Sequence, residues 1–304
     1  MVMKDAGKKA HYFQIDHKVV NLIGVRGAEL LVSGEAWEKY AWTKKYFSSK
    51  PVEGYFIWIK KQIDFPLMSC LLLASPDTKQ NLQNLVVIEK GLKICLVGSC
   101  ASLKKTLCGA HKAQGKIILK EGASLNYRHS HSWGKGDVLE TNYSFLLEKK
   151  SNLSYLFNVL SSAGKFNVEN EITALKGASC DFKLKGVFDS AQGSIKDNLI
   201  LKGKGSSGQI QLRMAVEEKS KVLAHSEIRA DAPSKGHLDC QGLLIKKGSS
   251  IVLKPSLVCN NREAQITHEA SVGRISEDQL SYLRMRGFNE AEAIKLIVNG
   301  FLNT

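Results

Sequence analysis

The middle of the chain, from about residue 51 to residue 272, consists of short apolar runs separated by glycines, and this pattern constrains the fold more than any other feature. No helical period interrupts the runs over about 200 residues. Strands separated by turns at this spacing predict a mainly β fold. A sandwich, a barrel and a β-solenoid all fit, because no repeat of fixed length is visible. The runs are Tyr55–Ile59, Pro66–Ala74, Leu85–Ile88, Lys93–Val97, Lys116–Lys120, Tyr143–Leu147, Asn198–Lys202, Gln209–Met214 and Ile251–Lys254.

The first zone, residues 1–50, contains a predicted amphipathic helix that begins at Glu35. Ser33 precedes it and is the predicted N-cap, because a serine hydroxyl can accept a hydrogen bond from a free backbone amide of the first turn. Trp37 and Tyr40 fall on one helical face, and we expect these rings to pack against the core.

The last zone, residues 273–304, carries the start signals of two short helices. Ser276 with Gln279, and Asn289 with Glu292, have the spacing of capping boxes. The apolar face of the second helix comprises Ala293, Ile294, Ile297, Val298 and Phe301. The two helices are predicted to form a hairpin that is either a cap over an open sheet edge or a docking platform for a partner.

Composition excludes some classes of protein. No run approaches the ~20 apolar residues of a membrane helix, and Met1–Lys9 has no apolar core of a signal peptide. The sequence therefore predicts a cytoplasmic protein without a membrane partner. The net charge of +14 is compatible with nucleic-acid binding, but Lys and Arg are scattered and no nucleic-acid motif appears. A generally basic surface is the favoured interpretation, and a basic face that docks on an acidic partner protein is the alternative.

The chain has seven cysteines, an odd number that argues against a disulfide framework. No Cys-x-x-Cys pair occurs, so neither a closed zinc site nor a permanent four-cysteine cluster is predicted from local motifs. His129 and His131 share a face if they lie on a strand, and chance spacing is favoured over a metal pair. No nucleotide site is predicted, because the segment Gly109–Ile117 lacks the spacing and the Ser/Thr of a phosphate loop.

The C-terminal segment Ala264–Phe301 resembles the signature of the SufB/SufD family, the scaffolds of the SUF iron–sulfur assembly machinery. It contains a His-Glu-Ala motif, a Gly-Arg-Ile step, a Gln-Leu-Ser-Tyr-Leu helix, an Arg-Gly turn and a terminal Gly-Phe. Upstream, Ala232–Ile245 resembles the SufB strand that carries an essential cysteine. The resemblance extends over residues 50–304 and is strongest at the end.

This resemblance implies a right-handed parallel β-helix with an N-terminal helical segment and a C-terminal helical hairpin. It also implies a non-catalytic scaffold that carries a transient iron–sulfur cluster, receives sulfur from a donor and passes clusters to apo-proteins; it leaves flavin binding open. The chain lacks the long N-terminal domain of bacterial SufB, so it resembles a minimal archaeal form that pairs as a homodimer. The hairpin is expected to bind a SufC-like ABC-type ATPase through Leu280, Tyr282, Leu283, Ile294, Ile297 and Phe301.

The resemblance assigns the nascent cluster to Cys240, His268 and Glu269. Thiolate is the natural ligand of iron in such clusters. Cys240 and Glu269 are 29 positions apart, which is compatible with adjacent turns of a solenoid. Neighbouring side chains on a strand point to opposite faces. His268 and Glu269 therefore reach one site only through a bend or through two protomers that share it.

The resemblance assigns a sulfur-accepting role to Cys100, which requires an accessible loop where a thiolate can react. A buried turn cysteine without this role is the alternative. Trp133 and Lys149 match the tunnel tryptophan and lysine of the family, whereas His131 replaces the family's glutamine. Two other classes of protein are alternatives. A β-helical carbohydrate-active enzyme would need clustered carboxylates that the sequence does not offer, and a nucleic-acid-binding protein would need a localised basic patch.

Overall fold

A computed structural model describes residues 10–246 and 248–304 of the chain. The segment Met1–Lys9, on which the prediction about a signal peptide rests, lies outside the described residues. Within them, the chain forms nineteen strands, three α-helices and one 3₁₀ helix. The strands are β1 His11–Ile15, β2 Lys18–Ile23, β3 Ala28–Val32, β4 Tyr55–Ile59, β5 Leu67–Leu73, β6 Lys79–Ile88, β7 Lys93–Ser102, β8 Ala110–Leu119, β9 Ser124–Ser132, β10 Val138–Leu147, β11 Asn152–Ser161, β12 Lys165–Ala174, β13 Ser179–Asp189, β14 Gln192–Leu201, β15 Ser207–Glu217, β16 Lys221–Ala230, β17 Lys235–Leu244, β18 Ser250–Cys259 and β19 Gln265–Arg274.

The strands wind into a parallel β-solenoid, which confirms the predicted fold class. From β4 onward, even-numbered strands join one sheet and odd-numbered strands the other, and neighbours within each sheet are parallel. Asn152 on β11 pairs with Ser124 in the preceding turn and with Ser179 in the following one. Each turn of the solenoid thus takes two strands, and each residue lies beside its counterpart in the next turn.

Alternate residues of each strand point into a narrow core between the two sheets. Tyr127, Tyr155 and Phe182 are register partners in successive turns, and their buried rings stack at centroid distances of 5.0 and 5.1 Å. Offset stacking of this kind adds to the free energy of burial. Like residues in one column therefore hold neighbouring turns together.

The turns between strands also stack. Gly122 and Gly177 have φ angles of 68° and 64°, and Lys150, in the turn between them, has a φ of 57°. Glycine adopts this left-handed conformation without steric cost, which explains the glycine punctuation of the sequence. Their backbone amides each donate to a carbonyl of the next turn, so that the column of turns is hydrogen bonded along the solenoid axis.

The N-terminal zone is less helical than predicted. Its strands β1 and β3 extend the two sheets, and only helix α1 (Ser33–Lys39) and a 3₁₀ turn (Ala41–Tyr46) follow. The predicted cap is wrong, since Val32 is the N-cap and makes no side-chain hydrogen bond. Ser33 instead donates from its hydroxyl to the Gln83 carbonyl, 2.6 Å away, and so ties the helix to the solenoid.

The C-terminal zone forms helix α2 (Glu277–Met285) and helix α3 (Glu290–Leu302), and both predicted capping boxes are confirmed. Helix α3 packs across the outer face of the odd-numbered sheet, where Val298 joins Ala215 and Leu243 in a small apolar cluster. The interpretation as a sheet-edge cap is therefore wrong. Among the described residues, no helix has the length and apolar character needed to cross a membrane.

We expect Phe182→Ala to reduce the free energy of unfolding by about 3–5 kcal/mol, because it removes a fully buried ring from the aromatic column. The neighbouring substitution Lys183→Ala alters an outward-facing side chain and should change it by less than about 0.5 kcal/mol. Chemical denaturation followed by circular dichroism measures both. Equal effects of the two substitutions would contradict the role assigned to the column.

Candidate functional site

Cys240 lies in the middle of β17 with its side chain in the core, 2% exposed. Burial raises the pKa of its thiol to about 12, although a contact with the Ser226 hydroxyl partly opposes this shift. The thiol is therefore protonated at neutral pH in the free chain. It becomes a thiolate only when a metal ion displaces the proton or when this part of the core opens.

The last strand, β19, carries His268 and Glu269 and forms one edge of its sheet. It pairs with β17 in the adjacent turn, as the spacing predicted, with His268 beside Leu238 and Ala270 beside Cys240. His268 thus continues the inward-facing column of Leu238, two residues from the partner of Cys240. From strand geometry, the Cα atoms of Cys240 and His268 are ~8 Å apart.

Glu269 is on the opposite face, beside Asp239 in the register. Asp239 accepts a hydrogen bond of 2.5 Å from the buried guanidinium of Arg213 on the outward-facing side of the sheet. Both His268 and Glu269 are exposed. One chain therefore places Cys240 and His268 on the inner face and Glu269 on the outer face, and the described residues do not gather the three around a single ion.

A second group lies near the other end of the solenoid. Cys100 on β7 and His129 and His131 on β9 point into the core, and their ligand atoms lie within 4.8 Å of one another. The Sγ of Cys100 is 3.2 Å from Nε2 of His129, and the two imidazole rings have a centroid distance of 4.2 Å. Among the described residues, this is the only group of three or more such side chains within reach of one metal ion.

The resemblance implied an accessible loop for Cys100. The structure instead places Cys100 inside strand β7, with 1% of its surface exposed. Burial raises the pKa of the Cys100 thiol far above its ordinary value. Burial likewise lowers the pKa of His129 to about 3 and that of His131 well below its ordinary value. All three groups are uncharged near neutral pH.

Trp133 and Lys149 occupy different parts of the solenoid. Trp133 is buried beside the histidines, and its Nε1 donates to Nδ1 of His131 at 3.3 Å. Lys149 lies on an exposed turn, where it forms an ion pair of 2.8 Å with Glu121. Strand β10 separates the two residues by ~30 Å. The structure brings Trp133 to His131, which belongs to the same group as Cys100, but does not bring Lys149 there.

A column of buried polar side chains follows the even-numbered sheet toward Cys240. Tyr143, Asn170, Asp197 and Ser226 are register partners in four successive turns. Asn170 donates from Nδ2 to Oδ1 of Asp197 at 2.8 Å. Burial raises the pKa of Asp197 from 3.8 to about 7, and Asn170 opposes this only in part. Polar groups thus continue through the core from the histidine region to Ser226.

The helical hairpin presents two kinds of apolar residue. Ile294, Ile297 and Phe301, expected at a partner interface, are half-buried and pack against the solenoid. Leu280 and Leu283 are also half-buried. The apolar side chains that face solvent are Tyr282, Met285, Phe288 and Leu296, with Met285 79% exposed.

Comparison with known proteins identifies the family. Residues 71–301 match the family model described as "SUF system FeS cluster assembly, SufBD core domain". The chain belongs to the SufBD family. It is 25% identical to an iron–sulfur cluster assembly SufBD family protein of Methanothermobacter thermautotrophicus, over 96% of this chain and 77% of that one. A SufBD family protein of Archaeoglobus fulgidus is 28% identical, over 91% of this chain and 79% of its own.

Sequence reasoning found the histidine pair of this SufBD protein but not its connection to Cys100. The shared face of His129 and His131 is confirmed. Their proximity to Cys100 depends on the register of β7 with β9, in which Gly98 lies beside His129 and Cys100 beside His131. The offset in sequence between paired residues is shorter for the next pairing, β9 with β11, so that no fixed repeat in the SufBD sequence could reveal the contact.

We expect Asp197→Asn to make stability less dependent on pH. Between pH ~4 and ~7, the unfolded chain loses the Asp197 proton while the folded chain keeps it. The free energy of unfolding therefore falls as the pH rises through this range and levels off above it, by a few kcal/mol for a shift of ~3 pKa units.

Guanidinium unfolding of both proteins at several pH values measures this difference. The comparison isolates Asp197, because the buried histidines contribute equally to both proteins. Stability curves that run parallel from pH ~4 to ~8 would contradict the assigned pKa.

Proposed function

We propose that this SufBD protein is a scaffold on which an iron–sulfur cluster is assembled and from which it is passed to apo-proteins. Family membership supports the assembly role. The observation that carries the site assignment is the position of Cys240, one turn below the open C-terminal end of the solenoid, with His268 in the next turn on the same inner face. Neither observation favours the two alternatives, a carbohydrate-active enzyme and a nucleic-acid-binding protein.

The proposed cluster site is shared between two copies of the chain. Strands β18 and β19 form the free edges of the two sheets, and their inner residues Ile251, Leu257 and Ile266 are only partly covered. A second copy that packs on this end would cover these residues and complete the ligand set. Glu269 lies on the outer face of its own chain. In a homodimer its carboxylate would serve as a ligand in the site shared with the partner.

Burial of Cys240 suits temporary binding. Because its pKa is about 12, a metal ion must displace a proton to bind, and protonation favours release. The mixed ligands sulfur, imidazole and carboxylate bind iron less strongly than four thiolates would. Movement of one protomer against the other would separate the ligands and free the cluster for a cytoplasmic acceptor protein.

The energy for this movement is proposed to come from a separate SufC-like ABC-type ATPase, while the chain itself has no catalytic role. The exposed apolar residues Tyr282, Met285 and Phe288 of the hairpin are the proposed contact. The half-buried Ile294, Ile297 and Phe301 support this contact indirectly by fixing α3 on the solenoid. Movement of the hairpin is thereby coupled to β15 and β17.

Sulfur from a donor enzyme is proposed to reach the cluster site through the solenoid, along the buried polar column that ends at Ser226. Trp133 lies at the start of this route. Because Cys100 is buried, a donor reaches its thiol only after local opening. Lys149 lies on the surface in an ion pair with Glu121, so its side chain does not line the route through the core.

We expect Cys240→Ser to lose most of the cluster formed on anaerobic reconstitution with iron and sulfide, because a hydroxyl is a poor substitute for a thiolate ligand. Absorption and Mössbauer spectra quantify the bound cluster. Cys180→Ser is the matched control, because it alters another buried thiol in an odd-numbered strand and should reconstitute normally. Full reconstitution of Cys240→Ser would refute the assignment.

We expect the double substitution Met285→Ser and Phe288→Ser to weaken ATPase binding at least tenfold. Each removes apolar surface whose burial contributes about 1.5–3 kcal/mol. Titration calorimetry with the purified ATPase subunit measures the affinity. Val52→Ser, at an 87% exposed apolar residue remote from the hairpin, should leave it unchanged. Unaltered binding by the double variant would place the ATPase elsewhere.

A further inference from the structure

We propose that Cys100, His129 and His131 bind a single divalent transition-metal ion inside the solenoid. This site is distinct from the proposed cluster site at Cys240. Strands β7 and β17 are five turns apart, which corresponds to ~24 Å along the solenoid axis. A metal ion at the first site therefore cannot share ligands with a cluster at the second.

The geometry is close to that of a tetrahedral site. Ligand bonds of about 2.0–2.3 Å separate sulfur and nitrogen ligands by ~3.3–3.6 Å around a tetrahedral ion. The distance from Sγ of Cys100 to Nε2 of His129 is 3.2 Å, and all three ligand atoms lie within 4.8 Å of one another. Small side-chain rotations bring the three atoms to these positions. Both strands are central in their sheet and hold the side chains in place.

Unpartnered polar atoms provide a second, independent observation. Nδ1 of His129 and Nε2 of His131 are fully buried and have no hydrogen-bond partner. Burial of an unpaired polar atom costs free energy, and such atoms are uncommon in native cores. A metal ion bound through Nε2 of His131 offsets this cost at that atom. His129 faces the Cys100 sulfur with its other ring nitrogen, Nε2, so the unpartnered Nδ1 of His129 takes no part in metal binding. Tyr127 and Phe157 pack on the two rings and close the site on the apolar side.

The donor set indicates the class of ion. One thiolate with two imidazoles suits borderline ions such as Zn²⁺, Co²⁺ and Fe²⁺, whereas Mg²⁺ and Ca²⁺ prefer oxygen ligands. The histidines are already neutral and offer lone pairs at neutral pH. Cys100 supplies its sulfur by releasing its proton to solvent, so that one proton leaves for each ion bound.

Trp133 reports on the site. Its indole N–H donates to Nδ1 of His131, which fixes the ring proton on Nε2. Coordination through Nε2 moves this proton to Nδ1, and coordination through Nδ1 replaces the indole; either breaks the 3.3 Å hydrogen bond. Metal binding should therefore change the environment of Trp133. Trp133→Phe removes the competing donor and should leave the affinity for the ion equal or higher.

Cobalt titration of the full chain tests the site, because thiolate-bound Co²⁺ gives a charge-transfer band in the near ultraviolet. The experiment uses a background with Cys108→Ser and Cys259→Ser, which removes the two exposed thiols. We expect one Co²⁺ per chain with this band, and displacement of Co²⁺ by Zn²⁺. Absence of the band, or a number of bound Co²⁺ ions that does not change when Cys100 is replaced, would overturn the proposal.

Single substitutions in this background locate the ion. Cys100→Ser should abolish the charge-transfer band, and His131→Gln should lower the affinity at least tenfold while leaving a folded chain. Cys180→Ser and Cys240→Ser should both keep the band. Circular dichroism of each variant separates loss of the site from loss of fold. Retention of the band by both Cys100→Ser and His131→Gln would show adventitious binding only.

This inference and the proposed function fail separately. Cluster reconstitution depends on Cys240, whereas the cobalt band depends on Cys100. The bound ion also blocks sulfur acceptance at Cys100, because a thiolate bound to metal is not free to attack a donor persulfide. Alkylation of Cys100 by a small thiol reagent in mild denaturant should accordingly slow at least tenfold when Zn²⁺ is present, and equal rates would contradict a protein–metal bond at this thiol.

Discussion

Parallel register is the interaction on which the rest of this structure depends. Because each strand pairs in parallel with the strand one turn away, every side chain lies beside a single counterpart above and below it. The same hydrogen bonds that build the sheets thereby assemble columns of like residues. The aromatic column, the column of left-handed turn residues and the polar column from Tyr143 to Ser226 are three results of this one constraint.

The register also explains which features the sequence could predict. Apolar runs that end in a turn, such as Tyr55–Ile59, were recognisable because both the strand and its limits are local properties. Capping boxes were recognisable for the same reason. Strand β9 was missed, because its inward positions hold Tyr127, His129 and His131 among polar outward residues, and no apolar run marks it. Histidines at inward positions thus interrupt the alternation of apolar and polar residues by which this strand could have been recognised.

Contacts between turns were beyond the reach of the sequence. Turn lengths vary, so the offset in sequence between paired strands changes along the solenoid and is longer for β7 with β9 than for β11 with β13. An error of one residue in this offset would exchange the inner and outer faces. The family motif identified Cys240, His268 and Glu269 as candidates but did not predict their geometry. For Cys100 it implied a loop, whereas the residue lies in a strand. The solvent-facing side of the hairpin depended on how α3 packs, which its own periodicity does not determine.

The two cysteines differ in how far their strands lie from an edge of the sheet. Strand β7 has a partner on each side, with further strands beyond both. Strand β17 is followed only by β19, and in a solenoid each turn is stabilised mainly by the turns that it touches. Local unfolding should therefore begin at the C-terminal end, and amide protons of β18 and β19 should exchange with solvent sooner than those of β7 and β9. Fraying would then expose Cys240 transiently while Cys100 stays enclosed. Ligands at the proposed cluster site would therefore exchange faster than an ion at the proposed metal site.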